Sequence, residues 1–122
     1  GTGYYSAILA ELAGPSGHVV AVEFEPALAE RARHCLGDYP TVELVEGNGA
    51  DWPREPVDIV YVNFAVDRPA DNWIEMLKPG GRLLFPLGVP ADSLHDGGPA
   101  YSDEAGYLMV TNTPDGYAAR FL

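Results

Sequence analysis

The sequence predicts an α/β fold in which a mainly parallel sheet carries helices on both faces. Three observations support this fold class. A glycine loop at the start of the chain runs directly into a helix, strand-length apolar runs alternate with helical patterns, and a hairpin pattern closes the chain. Alternation of strands and helices is typical of parallel sheets because each crossover needs a long connection. The 122 residues fit one domain of common size.

The glycine loop leads into the first predicted helix. In residues 4–13 apolar side chains recur at helical spacing, at Tyr5, Ile8, Leu9, Leu12 and Ala13. Gly14-Pro15 predicts the end of this helix. The apolar run 18–22 then predicts a fully buried strand that ends at Glu23.

A second helix and a second strand follow. Pro26 suits a first helical turn, and apolar positions continue the helix to Gly37, at Leu28, Ala29, Ala32, Cys35 and Leu36. Within this helix Cys35 is expected to be a buried small apolar residue rather than a reactive thiol. Residues 42–45 alternate like a strand near a sheet edge, and a loop follows at 46–50.

The second half is predicted to continue the alternation and to end in a hairpin. Its predicted elements are a buried strand at 57–62, a short helix at 69–77, a break at 78–81, a strand at 82–87, a loop from 88 to 106, and hairpin strands at 107–111 and 117–122 around a turn at 113–116.

Composition narrows the functional classes. The formal net charge of -11 argues against nucleic acid or an anionic membrane as the main partner. No apolar run approaches the roughly 18 residues that a membrane-spanning helix needs. The single cysteine cannot form an internal disulfide or a zinc site, and it favours a reducing, cytoplasmic compartment. The three histidines are scattered, so no metal site is predicted.

Glycines and polar residues follow four of the predicted strand positions. Ligands of open α/β sheets bind beyond the carboxyl ends of the strands, and an acidic residue at the end of the strand that follows the glycine loop and its helix commonly takes ribose hydroxyls. The candidates are Gly1–Gly3 before the first helix, Glu23, Asn48 with Gly49, and Asn63 with Phe64. Their order along the chain predicts a site for a nucleotide-type cofactor.

At this point the chain resembles the class I S-adenosylmethionine-dependent methyltransferases, and among them the protein-L-isoaspartate O-methyltransferase family. The resemblance lies in Gly1-Thr2-Gly3-Tyr4 with residues 7–12, residues 18–23 with residues 28–33, Gly47-Asn48-Gly49-Ala50 with Trp52-Pro53, residues 77–83 with Pro86-Leu87-Gly88, and Asp115-Gly116-Tyr117. It covers nearly the whole chain and is least informative over residues 89–105.

The resemblance implies a Rossmann-like methyltransferase sheet that binds S-adenosyl-L-methionine. The implied cofactor residues are Gly1, Thr2 and Gly3 for the amino-acid moiety, Glu23 for the ribose hydroxyls, and Phe24, Asn48, Gly49 and Ala50 for the adenine. Asn63 and Phe64 are the implied substrate-side residues. The family's substrate-side Ser/Thr motif precedes the glycine loop, so catalytic residues are expected upstream of Gly1.

The resemblance also implies that the central strand of the sheet precedes Gly1. Residues 1–122 are therefore expected to be a single partial methyltransferase domain, truncated at its N-terminus and at its C-terminus. Without the central strand, the strands ending at Glu23 and Val62 would flank a gap of roughly 9–10 Å. We expect the isolated stretch not to be a stable monomeric enzyme, because unpaired buried backbone groups cost on the order of 1–3 kcal/mol each.

Two positions depart from the family pattern. Asn48 stands where the family usually has Asp, and Asn can still accept or donate a hydrogen bond at the adenine edge. At residues 62–65 the family typically carries a small hydroxyl residue followed by small residues, and the bulky Phe64 favours a paralogue over an enzyme for isoaspartyl substrates. The expected reaction is methyl transfer to a protein or peptide carboxylate, with a small-molecule acceptor also open.

Two other functions stay open at this stage. One is a methyltransferase-like domain that binds without catalysis. The other is an NAD-dependent oxidoreductase, since Gly1-x-Gly3-x-x-Ser6 approximates the dinucleotide fingerprint and Glu23 suits it.

Overall fold

The computed structural model describes residues 1–88 and 106–122. The chain divides into two compact units, Gly1–Trp52 and Pro53–Leu122. Most of the predicted loop from 88 to 106 lies outside the described residues.

The first unit contains a two-stranded parallel sheet and two helices. Its elements are α1 (Tyr4–Ala13), β1 (Val19–Glu23), α2 (Pro26–Cys35), β2 (Val42–Glu46) and a short 3₁₀ turn (Gly49–Asp51). β1 pairs with β2 in parallel from Val19 opposite Val42 to Glu23 opposite Glu46. The two predicted helices and two predicted strands of this unit are confirmed, and both strands end at the same edge.

The second unit contains a four-stranded sheet and one short helix. Its elements are β3 (Val57–Tyr61), α3 (Asp71–Glu75), β4 (Leu77–Leu87), β5 (Gly106–Thr113) and β6 (Gly116–Phe121). The strand order is β3-β4-β5-β6, with β3 parallel to β4 and the other neighbours antiparallel. The predicted C-terminal hairpin is confirmed as β5 and β6.

The larger apolar core lies in the second unit. It consists of Val62, Trp73, Leu77, Leu83, Phe85 and Val110. Leu83 and Phe85 are fully buried, and their spacing of two residues puts both on one face of β4. Each such side chain stabilises the fold by roughly 1.5–3 kcal/mol. The first unit buries smaller side chains, at Ala10, Ala29, Ala32 and Leu36.

The predicted helix at 69–77 is too long, and the predicted break at 78–81 lies inside a strand. α3 ends at Glu75, and β4 already begins at Leu77. The register between β3 and β4 shifts after the pair of Val57 and Leu77. The next paired residue of β3 is Ile59, two residues on, and its partner in β4 is Arg82, five residues beyond Leu77. Lys78–Gly81 therefore forms a bulge in β4, and we call it the β4 bulge.

Backbone geometry explains why the β4 bulge forms at these residues. Gly80 has φ +79°, a left-handed conformation that favours glycine. The side-chain amide of Asn112 on β5 donates a 2.8 Å hydrogen bond to the carbonyl of Leu77, so the start of the bulge has a partner on the next strand. Bulges of this kind let a strand bend without losing its place in the sheet.

Several predictions of burial are wrong. In α1 only Ala10 is buried, and Leu12 of the predicted apolar stripe is 79% exposed. The strands predicted to be fully buried are half-exposed, with Ile59 of β3 at 54%. Within the described residues β1 pairs with β2 alone, and a unit of this size buries a smaller fraction of its surface than a large domain does.

Cys35 is exposed rather than buried. The buried positions near it, Ala29, Ala32 and Leu36, follow the helical spacing of three and four residues. Cys35 also lies three residues beyond Ala32, but it is the last residue of α2 and its side chain stays exposed. In the described part of the chain no helix has the length and apolar character needed to cross a membrane.

Candidate cofactor site

The glycine loop ends at the N-terminus of α1. Gly3 is the N-cap residue, with φ 87° in the left-handed region, and no side chain caps the helix. A Cβ at Gly3 would lie 2.7 Å from Cδ1 of Leu36, so both conformation and space require glycine. The first N–H groups of a helix attract anions, and a carboxylate is one ligand that suits this end of α1.

Glu23 lies at the end of β1 with its carboxylate held on two sides. Its Oε1 accepts a 2.9 Å hydrogen bond from the backbone N–H of Glu25. Its Oε2 contacts the backbone nitrogen of Gly1. The structure therefore brings the glycine loop and the predicted ribose-binding acid together, as the sequence predicts.

The loop after β2 lies beside Glu23. The backbone N–H of Gly47 donates to the carbonyl of Glu23 at 2.9 Å, because the two strands are parallel and in register. Asn48 caps the 3₁₀ turn, and its Oδ1 accepts from the N–H of Ala50 at 3.0 Å. A Cβ at Gly49 would meet nothing within 4 Å, so this part of the loop is open to a ligand.

Phe24 follows the acid directly and is 75% exposed. An aromatic ring in this position can stack on a planar base while Glu23 accepts from hydroxyls beside it. The first unit thus holds all eight predicted cofactor residues, namely Gly1, Thr2, Gly3, Glu23, Phe24, Asn48, Gly49 and Ala50.

The donor and acceptor set of these residues fits S-adenosylmethionine. A carboxylate matches two ribose hydroxyls, an uncapped helix end matches a carboxylate, and an exposed aromatic ring matches adenine. Among the described residues no group of three or more His, Cys, Asp or Glu could hold a metal ion.

An open cavity of about 260 Å³ lies next to the glycine loop. It is lined by Tyr4, Ala7, Leu36 and Tyr39, together with Thr2, Gly3 and Cys35. Neither Glu23 nor Asn48 contributes to its lining, and its walls are mainly apolar. The cavity therefore does not match the ribose and adenine contacts that the carboxylate and the amide define.

The predicted substrate-side residues lie in the second unit. Asn63 and Phe64 follow β3, and both are exposed. Oδ1 of Asn63 accepts a 3.2 Å hydrogen bond from the hydroxyl of Tyr61. The ring of Phe64 packs edge-on against Trp73.

Two backbone N–H groups that contribute to the candidate site were not predicted from the sequence. The N–H of Glu25 orients Glu23, and the N–H of Gly47 joins the two strand ends. Backbone donors carry no sequence pattern of their own. The parallel pairing of β1 with β2, which ends with Glu23 opposite Glu46, accounts for the bond from Gly47.

Comparison with known proteins defines the class. The fold matches a solved protein-L-isoaspartate O-methyltransferase with a TM-score of 0.80, at 23% identity over 100% of this chain and 37% of that chain. A second solved structure, a putative protein-L-isoaspartate O-methyltransferase from Plasmodium falciparum in complex with S-adenosyl-L-homocysteine, matches with a TM-score of 0.64 at 12% identity, over 86% of this chain and 48% of that one. The fold is that of the class I methyltransferases.

The family follows from the sequence comparison. A model of the protein-L-isoaspartate(D-aspartate) O-methyltransferase family matches residues 1–97, and the chain belongs to that family. It is 34% identical to the protein-L-isoaspartate O-methyltransferase of Ignicoccus hospitalis over 100% of this chain and 54% of the relative. It is 43% identical to that of Aeropyrum pernix over 95% of this chain and 42% of the relative. The chain thus spans about half the length of these relatives.

Proposed function

We propose that the protein containing this chain binds S-adenosylmethionine and transfers its methyl group to an isoaspartyl carboxylate of a protein or peptide. The observation that carries the proposal is the meeting of three segments in the first unit. The backbone nitrogen of Gly1 lies against the carboxylate of Glu23, and the N–H of Gly47 in the Asn48 loop donates to the backbone carbonyl of Glu23. Family membership supports the donor and the acceptor class.

Each segment has a distinct task in holding the cofactor. The N-terminus of α1 offers N–H groups to the carboxylate of the methionyl part. Glu23 accepts from the ribose hydroxyls, with its carboxylate kept in place by the N–H of Glu25. Phe24 supplies an apolar surface for the adenine, and Asn48 supplies an amide at its edge.

When bound, S-adenosylmethionine supplies an electrophilic methyl group on a sulfonium, and a carboxylate accepts it without a general base. The residues of this chain contribute by fixing the donor, because alignment alone can lower the barrier by roughly 7–11 kcal/mol. This explains why the cofactor residues of the first unit form a binding site rather than an acid–base pair.

Titration calorimetry tests the proposal. S-adenosylhomocysteine is titrated into the full-length protein and into its Glu23→Ala variant. Loss of a charged acceptor from two hydroxyls should weaken binding by about 100-fold. Methylation of an L-isoaspartyl peptide by the same preparation tests the acceptor.

Glu43→Ala is the matched control. Glu43 is also a β-strand glutamate, half-exposed and paired with His18 at 3.4 Å, and it is not a predicted cofactor residue. Its removal should leave the dissociation constant within about twofold. Equal weakening in both variants, or no binding to the folded wild type, would refute the cofactor site. Binding without methylation of any carboxylate would instead favour the non-catalytic alternative.

A further inference from the structure

We infer that Phe64 and Asn63 select the methyl acceptor, favouring a peptide in which a large apolar or aromatic side chain neighbours the carboxylate. The inference rests on the proposed function, because it names the acceptor class of the same reaction. We call these two residues the acceptor step.

The first argument is position. β3 ends at Tyr61, Val62 is buried in the core, and the chain then emerges at Asn63 and Phe64. Residues just beyond the carboxyl end of a parallel strand are where open α/β sheets contact their ligands. The acceptor step therefore lies at a ligand-binding position of its own sheet.

The second argument is the packing of Phe64. Its ring is 55% exposed, whereas Trp73 beneath it is 4% exposed. The two ring centroids are 6.0 Å apart at an interplanar angle of 73°, an edge-to-face contact. Trp73 belongs to the core, so it fixes one edge of Phe64 and leaves other parts of the ring in solvent. A ring held in this way binds an apolar group with little further loss of side-chain freedom.

The third argument is the orientation of Asn63. Its Oδ1 accepts from the hydroxyl of Tyr61, which directs the Nδ2 group away from that bond. Within the described residues no acceptor takes the Nδ2 protons. The acceptor step thus combines an amide donor for a carboxylate or peptide carbonyl with an apolar surface next to it. The net charge of -11 gives no advantage to an acidic neighbour.

Steady-state kinetics of the full-length protein tests the inference. The probes are two synthetic peptides that carry one L-isoaspartyl residue and differ only in the following residue, phenylalanine or glycine. The wild type should show a KM about fivefold lower for the phenylalanine peptide. Phe64→Ala should remove that difference by raising KM for the phenylalanine peptide, with kcat unchanged. Asn63→Asp should raise KM for both peptides because it replaces a donor with a negative charge.

Phe121→Ala is the matched control, since Phe121 is another exposed ring of the second unit, at 64%, in β6. It should leave the preference unchanged. Turnover of both peptides without a preference, or a preference that survives Phe64→Ala, overturns the inference and leaves the proposed function standing. A lower melting temperature with unchanged KM values would show that Phe64 is structural and would also overturn it. No turnover of either peptide refutes the proposed function and the inference with it.

Discussion

Asn48 combines a structural contact that the fold shows with a ligand contact that is proposed. Its Oδ1 accepts from the N–H of Ala50 at 3.0 Å and so caps the turn at Gly49–Asp51. The same loop is joined to Glu23 by the N–H of Gly47, which puts the exposed amide of Asn48 beside the proposed ribose site. A residue in this position needs an oxygen for the cap and a second polar contact for the adenine.

Asn48→Asp tests that double task. A carboxylate can accept from the N–H of Ala50 and from an adenine amino group at once, and charged acceptors form stronger hydrogen bonds. We expect S-adenosylhomocysteine to bind about fivefold more tightly to the Asp variant. Asn48→Ala should bind more weakly than the wild type because the cap is lost. Weaker calorimetric binding in the Asp variant would show that the amide nitrogen, not the oxygen, meets the adenine.

At the residue scale the sequence predicted polar positions better than apolar ones. The place of Glu23 at a strand end could be predicted from the apolar run before it, and its role in ribose binding stays a prediction. The exposure of Cys35 and Leu12 could not be predicted, because an apolar residue at helical spacing is buried only if another element covers that face. Whether another element packs against a helix face depends on the tertiary structure, and the spacing of apolar residues along the helix does not determine it.

The β4 bulge is the element that the sequence did not predict. Lys78-Pro79-Gly80-Gly81 predicts a break, and a break between helix and strand looks the same in sequence as a bulge within a strand. The structure distinguishes them by pairing, since Leu77 lies opposite Val57 while Arg82 lies opposite Ile59. The hairpin of β5 and β6 was easier to predict, because Asp115-Gly116 marks a tight turn between two alternating runs.

Gly81→Ala tests the packing of the β4 bulge. A Cβ at Gly81 would lie 2.8 Å from the carbonyl oxygen of Lys78 and 3.2 Å from that of Asp58, and both are backbone atoms that cannot move away cheaply. We expect the full-length protein to lose about 1–3 kcal/mol of unfolding free energy, measured by urea denaturation.

Gly37→Ala is the control for this substitution. The nearest atom to a Cβ at Gly37 is a carbonyl oxygen at 3.5 Å, an ordinary contact. Its stability should change by less than about 0.5 kcal/mol. If the two variants were equally stable, the strand register around the bulge would have to differ from the one described.

On the scale of the whole molecule, apolar burial is unevenly distributed. The second unit buries Leu83, Phe85 and Trp73, whereas the buried side chains of the first unit are three alanines and Leu36. The sequence predicted the alternation of elements throughout, because periodicity is local. It did not predict this difference, because burial depends on which strands pair, and β1 pairs only with β2 in the described residues.

Hydrogen exchange of the isolated 122-residue chain tests this difference in burial. Amides of β4 and β5 should exchange slowest, and those of β1 on the order of 100-fold faster. In the full-length protein, S-adenosylhomocysteine should slow exchange in β1 and in the Asn48 loop, because a ligand that binds only the folded unit stabilises it. Equal protection of β1 and β4 before any ligand is added would contradict the prediction.

The division of the chain at Pro53 also has an evolutionary consequence. The predicted cofactor residues all precede that boundary, and the acceptor step follows it. Under the proposed function, a single recombination event there would replace the acceptor specificity and keep the donor-binding residues unchanged. Lineages that recombined at this boundary would methylate new targets with the same methyl donor.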